Sequence, residues 1–94
     1  EKMCHAPAEL FNIENRGYLR EGYWADIVLV KPNTDYTVSK SNILYKCGWS
    51  PLEGTNFSST INTTIVSGHI AYNNGKFDET QWGHRLLFNP RSEL

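Results

Sequence analysis

The sequence predicts a mainly β fold with a short N-terminal helix, and three stretches support this prediction. Four consecutive aliphatic residues, Ile27 to Val30, are bounded by turn-forming residues, as in a buried strand. Thr60 to Val66 is rich in β-branched side chains, which favour strands. Asn73-Asn74-Gly75 is typical of a tight hairpin turn, whose residues must adopt positive φ angles.

The N-terminal helix is predicted over about residues 8–11, with Pro7 in its first turn. Proline lacks an N–H and clashes inside a helix, whereas both defects are harmless at the first turn. Asn15-Arg16-Gly17 then predicts the stop and a turn. A short strand is expected at Tyr18 to Arg20, followed by a tight turn at Glu21-Gly22.

The central strand is predicted from Ala25 to Lys31. Asp26 is interpreted as a residue that starts this strand, and Ile27 to Val30 as apolar on both faces and buried. Pro32 should end the strand because it cannot donate to a sheet ladder. Tyr36 to Val38 could add a short extended piece.

The middle of the chain predicts a small helical element and then a long loop. Ser39 is a plausible N-cap for one or two helical turns over Lys40 to Tyr45. Residues 46–57 form the loop, since Cys47 to Thr55 alone holds two glycines and a proline. Loops of this length without regular structure are often functional or docking elements.

A β-meander is predicted over residues 60–77. Its first strand, Thr60 to Val66, should place Ile61, Thr63 and Ile65 on one face. A turn at Ser67-Gly68, a strand at His69 to Tyr72 and a third arm at Lys76-Phe77 complete it. The tail, 78–94, is predicted as a helical turn with an extended end.

Composition excludes several classes of function. Nine basic and ten acidic residues give a net charge of -1, so the chain has no basic footprint for nucleic acid. No apolar run is long enough to span a membrane. Two cysteines, Cys4 and Cys47, are too few for a small secreted domain and favour reduced thiols, so a cytoplasmic location is expected.

The residues predict no catalytic, cofactor-binding or metal-binding side chain. His5, His69 and His84 are too far apart in sequence to form a His-x-His or His-x-x-x-His metal motif. Gly48-Trp49-Ser50-Pro51-Leu52 lacks the fifth-position glycine of a nucleophile elbow. The abundant Trp and Tyr residues favour the packing of a small sheet over a binding surface.

One set of motifs resembles a known family. Ala6 to Val30 is similar to the signature near the C-terminus of the amidohydrolase superfamily. Ser50 to Gly54 and Thr64 to Gly68 resemble motifs of its cyclic amidohydrolases. Asn42 to Gly54 and Arg85 to Phe88 most resemble dihydroorotase, although Leu52 stands where an aromatic residue is more usual. Allantoinase and dihydropyrimidinase share parts of the pattern.

The resemblance implies a fold and a parent enzyme. Residues 1–13 would be the closing helix of a (β/α)8 barrel, and residues 14–94 the C-terminal part of a small β-sandwich beside it. The parent would hydrolyse dihydroorotate, or form it from carbamoyl aspartate in pyrimidine biosynthesis, with zinc-activated water. The zinc ligands and acid–base aspartate of that family lie on barrel strands, and none of its motifs occurs here. This C-terminal fragment alone is therefore expected to be inactive.

Two hypotheses about partners follow. As part of an enzyme, the chain would pack against the barrel and N-terminal strands of the parent, and an exposed sheet edge could form homo-oligomers. Alternatively, it is a self-standing small β module that binds a protein or peptide through its aromatic residues and an open sheet edge. Neither nucleic acid nor a membrane is an expected partner.

Overall fold

The computed structural model describes residues 1–90 and confirms a mainly β fold with one short helix. Four antiparallel strands form one sheet in the order β1-β2-β3-β4. The elements are α1 (His5–Leu10), β1 (Ile27–Thr37), a 3-10 turn (Lys40–Asn42), β2 (Asn56–Val66), β3 (His69–Asn73) and β4 (Lys76–Phe77).

Helix α1 is short and is fixed by the segment that follows it. Pro7 is its third residue, in the first turn, as predicted. After the helix ends, Asn12 adopts a positive φ of 54°. Gly17 then lies so close to α1 that an added Cβ would be 2.5 Å from Cβ of Ala8 and 2.7 Å from the Cys4 carbonyl oxygen. This close approach buries Ala8.

The predicted strand at Tyr18 to Arg20 is wrong. The segment is irregular and is held by side chains rather than by a ladder. The Tyr18 ring stacks on His5 at 4.1 Å, and its hydroxyl donates to the Glu9 carboxylate. Arg20 covers the other part of the same ring, 4.0 Å from its centroid. The segment therefore packs on α1, which offers no strand to pair with.

Strand β1 continues beyond Pro32, so the prediction that this proline ends the strand is wrong. Because β1 is an edge strand, a residue without an N–H can sit in it. The pairing with β2 is nevertheless irregular between Pro32 and Tyr36, where Asn33 has a φ of 53°. The strand resumes regular pairing at Tyr36 and Thr37.

The aliphatic residues of β1 are not buried on both faces, contrary to the prediction. Val28, Leu29 and Val30 are 53%, 50% and 53% exposed. Among the helices and strands of residues 1–90, β1 contacts only β2. The strand is therefore built for an environment that these residues do not themselves supply.

Strand β2 starts at Asn56, so the last two residues of the predicted loop belong to it. Leu29 of β1 pairs with Thr63, and the next residue, Val30, pairs with Ile61. Asn62 is therefore an extra residue in β2 and forms a bulge. Neighbouring residues of β1 point to opposite faces. Ile61 and Thr63 therefore lie on opposite faces, and the prediction that they share one is wrong.

The helical element after Ser39 is one 3-10 turn, shorter than predicted. The backbone N–H of Ser39 donates to Oδ1 of Asn42 at 3.0 Å, and Nδ2 of Asn42 donates to the Thr37 carbonyl at 2.8 Å. Asn42 thus ties the turn back to the end of β1. The helix cannot continue because Ile43 is already extended.

The predicted helical turn in the tail is absent from residues 78–90; residues 91–94 of that prediction lie outside the described part. The tail runs extended and returns to the N-terminal arm, where Phe88 bridges to Ile13. Glu14 N–H donates to the Leu87 carbonyl and Asn89 N–H to the Asn12 carbonyl, each at 2.8 Å. Backbone pairing thus outweighs the local helical preference.

The chain buries little of its own apolar surface. Ala8 is the only buried hydrophobic residue of the described part. The accessible area is 7964 Å², against about 5,500 Å² for a compact protein of this mass. The radius of gyration is 16.3 Å, against about 12 Å for a compact domain of this length. Within residues 1–90, no helix is long and apolar enough to cross a membrane.

Candidate functional site

A junction centred on Arg16 joins three distant parts of the chain. We call the group formed by Arg16, Trp24, Asp26, Ser67 and His84 the Arg16 junction. Arg16 is only 8% exposed, and its Nη1 forms an ion pair with Oδ2 of Asp26. Its Nη2 donates to the His84 carbonyl at 3.2 Å. One guanidinium therefore connects the turn after α1, the start of β1 and the tail.

Asp26 extends the junction to the turn between β2 and β3. Its Oδ1 accepts a 2.7 Å hydrogen bond from the backbone N–H of Ser67. Next to it, Gly68 N–H donates to the Ala25 carbonyl at 2.9 Å. Ser67 and Gly68 have φ angles of 50° and 83°, and this left-handed turn directs both N–H groups toward β1. Asp26 therefore binds both the β2–β3 turn and the guanidinium of Arg16.

One ring covers the guanidinium, and a second ring stacks on the first. The Trp24 ring lies 4.9 Å from the guanidinium carbon of Arg16, in cation–π geometry. The same ring stacks on His84 at 4.7 Å. The Trp24 ring thus helps to bury Arg16, which is only 8% exposed.

The chemistry of the junction is structural. An arginine stays protonated in proteins, so it cannot act as an acid or a base beside Asp26. Both oxygens of Asp26 are already engaged. Nε of Arg16 and Oγ of Ser67 are buried without a hydrogen-bond partner. The contacts of the junction therefore position the segments that it joins.

Two further polar contacts shift the pKa of a side chain, that of Tyr18 and that of Asp78. The hydrogen bond from Tyr18 to the Glu9 carboxylate raises the pKa of the Tyr18 phenol, because it stabilises the protonated form. Hydrogen bonds from the Thr80 hydroxyl and backbone N–H lower the pKa of Asp78. His69 also faces Asp78, with Nε2 3.1 Å from its carbonyl oxygen. Both contacts are at the surface; the first holds Tyr18 on α1, and the second fixes the turn at Asp78.

The described residues do not fit a zinc site. Residues 1–90 contain no group of three or more His, Cys, Asp or Glu side chains that could hold a metal ion. The nearest approach is His69 with Asp78, whose Nε2 and Oδ2 are 3.8 Å apart. One imidazole and one carboxylate are too few for a tetrahedral protein site.

The three histidines flagged in the sequence are not brought together. His5 stacks on Tyr18, His69 faces Asp78 and His84 stacks on Trp24. Ser50, from the partial nucleophile motif, accepts a 3.1 Å hydrogen bond from the Leu52 N–H and serves a turn.

Sequence reasoning missed the role of Arg16, which it treated only as part of a turn. Asp26 directly before an apolar strand was the available signal, since a carboxylate there needs a partner. An arginine beside the turn glycine Gly17 supplies it.

An apolar groove lies on one face of the sheet. It encloses ≈ 420 Å³ and is lined mainly by Val30, Tyr36, Phe57, Ile61 and Tyr72. These side chains come from β1, β2 and β3. The groove carries no ionisable group other than the two phenols, so it suits packing rather than chemistry.

Sequence comparison with known proteins shows which enzymes this chain resembles. The chain is 41% identical over 71 residues to a dihydroorotase of Endomicrobium trichonymphae, covering 76% of the chain and 17% of that protein. It is 30% identical over 87 residues to a dihydroorotase of Pyrococcus furiosus, covering 93% and 21%. The chain is dihydroorotase-like. No protein-family model matches it.

This dihydroorotase-like chain also matches a related enzyme class. It is 33% identical over 78 residues to an allantoinase of Desulfitobacterium hafniense, covering 83% of the chain and 17% of that protein. The chain spans about a fifth or less of the length of the curated relatives it matches. Its similarity therefore concerns one part of those proteins.

Proposed function

We propose that this chain acts as the C-terminal segment of a dihydroorotase, where it supports the catalytic (β/α)8 barrel. The segment would contribute its share of a small β-sandwich beside that barrel. The parent would open the cyclic amide of dihydroorotate, or close it from carbamoyl aspartate. The chain alone would be inactive.

The observation that carries this proposal is an ordered sheet without a core of its own. The accessible area exceeds that of a compact protein of equal mass by about 2,400 Å². A standard protein–protein interface buries only about 800 Å² per partner. An excess of this size is typical of a domain interior, and the curated relatives are about five times longer than the matched segment.

The chemistry of the parent would lie in the rest of the polypeptide. Bound zinc would supply a hydroxide nucleophile near neutral pH and polarise the amide carbonyl. The described residues of this chain hold no suitable ligand set, so none of them is assigned to the metal. Their role would be to hold the barrel-closing helix and the sheet in place through the Arg16 junction.

Allantoinase is the second candidate, because one of the relatives bears that name at 33% identity. Both enzymes hydrolyse a cyclic amide, and the loops that would select the substrate are not among these residues. The Arg16 junction would serve either parent equally.

Activity of a longer polypeptide that carries this sequence tests the proposal. We expect zinc-dependent hydrolysis of dihydroorotate in preference to allantoin, and no turnover by the 94-residue chain. Preference for allantoin would favour the second candidate. Turnover by the 94-residue chain, or inactivity of the longer polypeptide on both substrates, would contradict the proposal.

A further inference from the structure

Residues 39–53 form a closed loop that projects from the end of β1. We call it the apolar loop. Two backbone hydrogen bonds close its base: Val38 N–H donates to the Thr55 carbonyl at 2.9 Å, and Gly54 N–H donates to the Val38 carbonyl at 2.7 Å. Compact loops with such adjacent ends are often functional. The loop begins and ends at one point on the sheet.

The loop backbone is ordered by its own hydrogen bonds. Gly48 N–H donates to the Tyr45 carbonyl at 3.2 Å, and Glu53 N–H donates to the Ser50 carbonyl at 3.1 Å. Gly48 and Gly54 adopt φ angles of 71° and 86°, which only glycine accepts readily. These hydrogen bonds and glycine conformations define the shape of the loop in the structure.

Its large side chains point away from the rest of the chain. Leu44 is 77% exposed, and Tyr45, Trp49 and Leu52 are 52%, 58% and 51% exposed. Four large apolar side chains on one ordered loop are unusual for a free surface and mark interaction sites. Internal hydrogen bonds of the loop reduce the entropy lost on docking, and aromatic anchors contribute much of the binding energy of interfaces.

Two observations indicate the partner of the apolar loop: the length of the relatives and the lack of a core in this chain. The relatives place about four-fifths of their length outside the matched segment. The exposed excess of about 2,400 Å² is larger than a contact between independent proteins requires. The occupant that fits both facts is the remaining part of the same polypeptide.

We propose that the apolar loop docks on the remaining polypeptide by inserting Trp49 and Leu52 into an apolar recess. This inference rests on the proposed function, because it assumes a longer parent. Trp49 and Leu52 would anchor the loop, with Tyr45 and Leu44 around them. The apolar loop and the sheet would then contact the rest of the parent at two separate sites.

The reactivity of the Cys47 thiol reports whether the apolar loop is docked, since this residue lies in the loop and is exposed. We would measure its alkylation rate by peptide-resolved mass spectrometry in the 94-residue chain and in the longer polypeptide. Alkylation should be at least about tenfold slower in the longer polypeptide. Trp49→Ala with Leu52→Ala should restore fast alkylation, whereas Lys46→Gln in the same loop should not.

Equal alkylation rates in the two wild-type proteins would overturn the proposal, and this comparison does not depend on how well any variant folds. Protection that grows with the concentration of the 94-residue chain would also overturn it, because the occupant would be a second copy. Protection of Cys47 in a longer polypeptide that is inactive on both dihydroorotate and allantoin would support docking of the apolar loop while contradicting the proposed function.

Discussion

Arg16 connects more of this chain than any of its neighbours does. Its guanidinium binds Asp26 and the His84 carbonyl beneath the Trp24 ring, and Asp26 in turn binds the Ser67 amide. Removing Asp26 would leave the Arg16 guanidinium, whose side chain is only 9% exposed, without its charged partner, which costs more than the pair contributes. Substitutions at this junction should therefore loosen three segments together.

We expect Asp26→Ala to open the turn between β2 and β3. Losing the acceptor of the Ser67 N–H should cost about 1–3 kcal/mol. Hydrogen exchange at the Ser67 amide in the longer polypeptide should become about 5- to 150-fold faster. Asp26→Asn retains an acceptor oxygen and loses the charge, so it should fall between wild type and Asp26→Ala. Unchanged exchange in Asp26→Ala would show that the carboxylate does not hold the turn.

We expect Gly17→Ala to destabilise the protein more than Gly22→Ala. Both glycines have positive φ angles, 89° and 85°, so both variants should lose about 1–2 kcal/mol. Only at Gly17 would the new Cβ collide with Ala8 and the Cys4 carbonyl, which adds about 1–3 kcal/mol. Urea unfolding of the longer polypeptide measures both. Equal losses would mean that Gly17 does not approach α1 as described.

Tyr18 should titrate above its ordinary pKa because its hydroxyl donates to Glu9. Since the folded pKa is raised, the stabilisation is complete below the unfolded value and is lost as pH rises through the folded one. The phenolate absorbance of wild type minus that of Tyr18→Phe isolates this residue. Glu9→Gln should lower the pKa of Tyr18, and no change in that variant would contradict the contact.

At the scale of elements, edge position decides how β1 behaves. Its outer side is unpaired within the described sheet, and Val28 to Val30 are half exposed. Such an edge is a template for another strand. In the proposed parent, N-terminal strands would cover it.

The isolated 94-residue chain should therefore self-associate through β1. A charge on an edge strand opposes pairing between copies, so Val28→Lys should shift the chain toward monomer. Val28 contributes little internal packing, since it is 53% exposed. Analytical ultracentrifugation checks this, with Thr80→Lys, away from β1, as the control for added charge. A wild-type chain that is monomeric at all concentrations would contradict the prediction.

The elements show how far local sequence patterns reach. The β-branched run, the asparagine–glycine turn and Pro7 predicted β2, the β3–β4 hairpin and α1, because each depends on nearby residues. Pro32 and the faces of β2 depend on which strand is at the edge and where a bulge forms, and those are properties of the whole sheet. The Arg16 junction could not be predicted, because residues 16, 26, 67 and 84 meet only after folding.

At the scale of the molecule, the predicted burial of Ile27 to Val30 was wrong for the chain but informative about its origin. Under the proposed function, β1 would lie inside a larger structure, and its exposed aliphatic residues would contact the rest of that structure. The groove beside β1 and the apolar loop also expose apolar side chains. Under the proposed function, the rest of the parent would cover them.

Differential scanning calorimetry of the 94-residue chain at low concentration tests whether this chain needs the rest of the parent to fold cooperatively. Without a core, the chain should show no cooperative transition, and its heat absorption should rise gradually. A compact domain of this length would instead unfold with an enthalpy of about 60–80 kcal/mol. One sharp transition of that size, with equal calorimetric and van't Hoff enthalpies, would contradict the account by showing an independent domain.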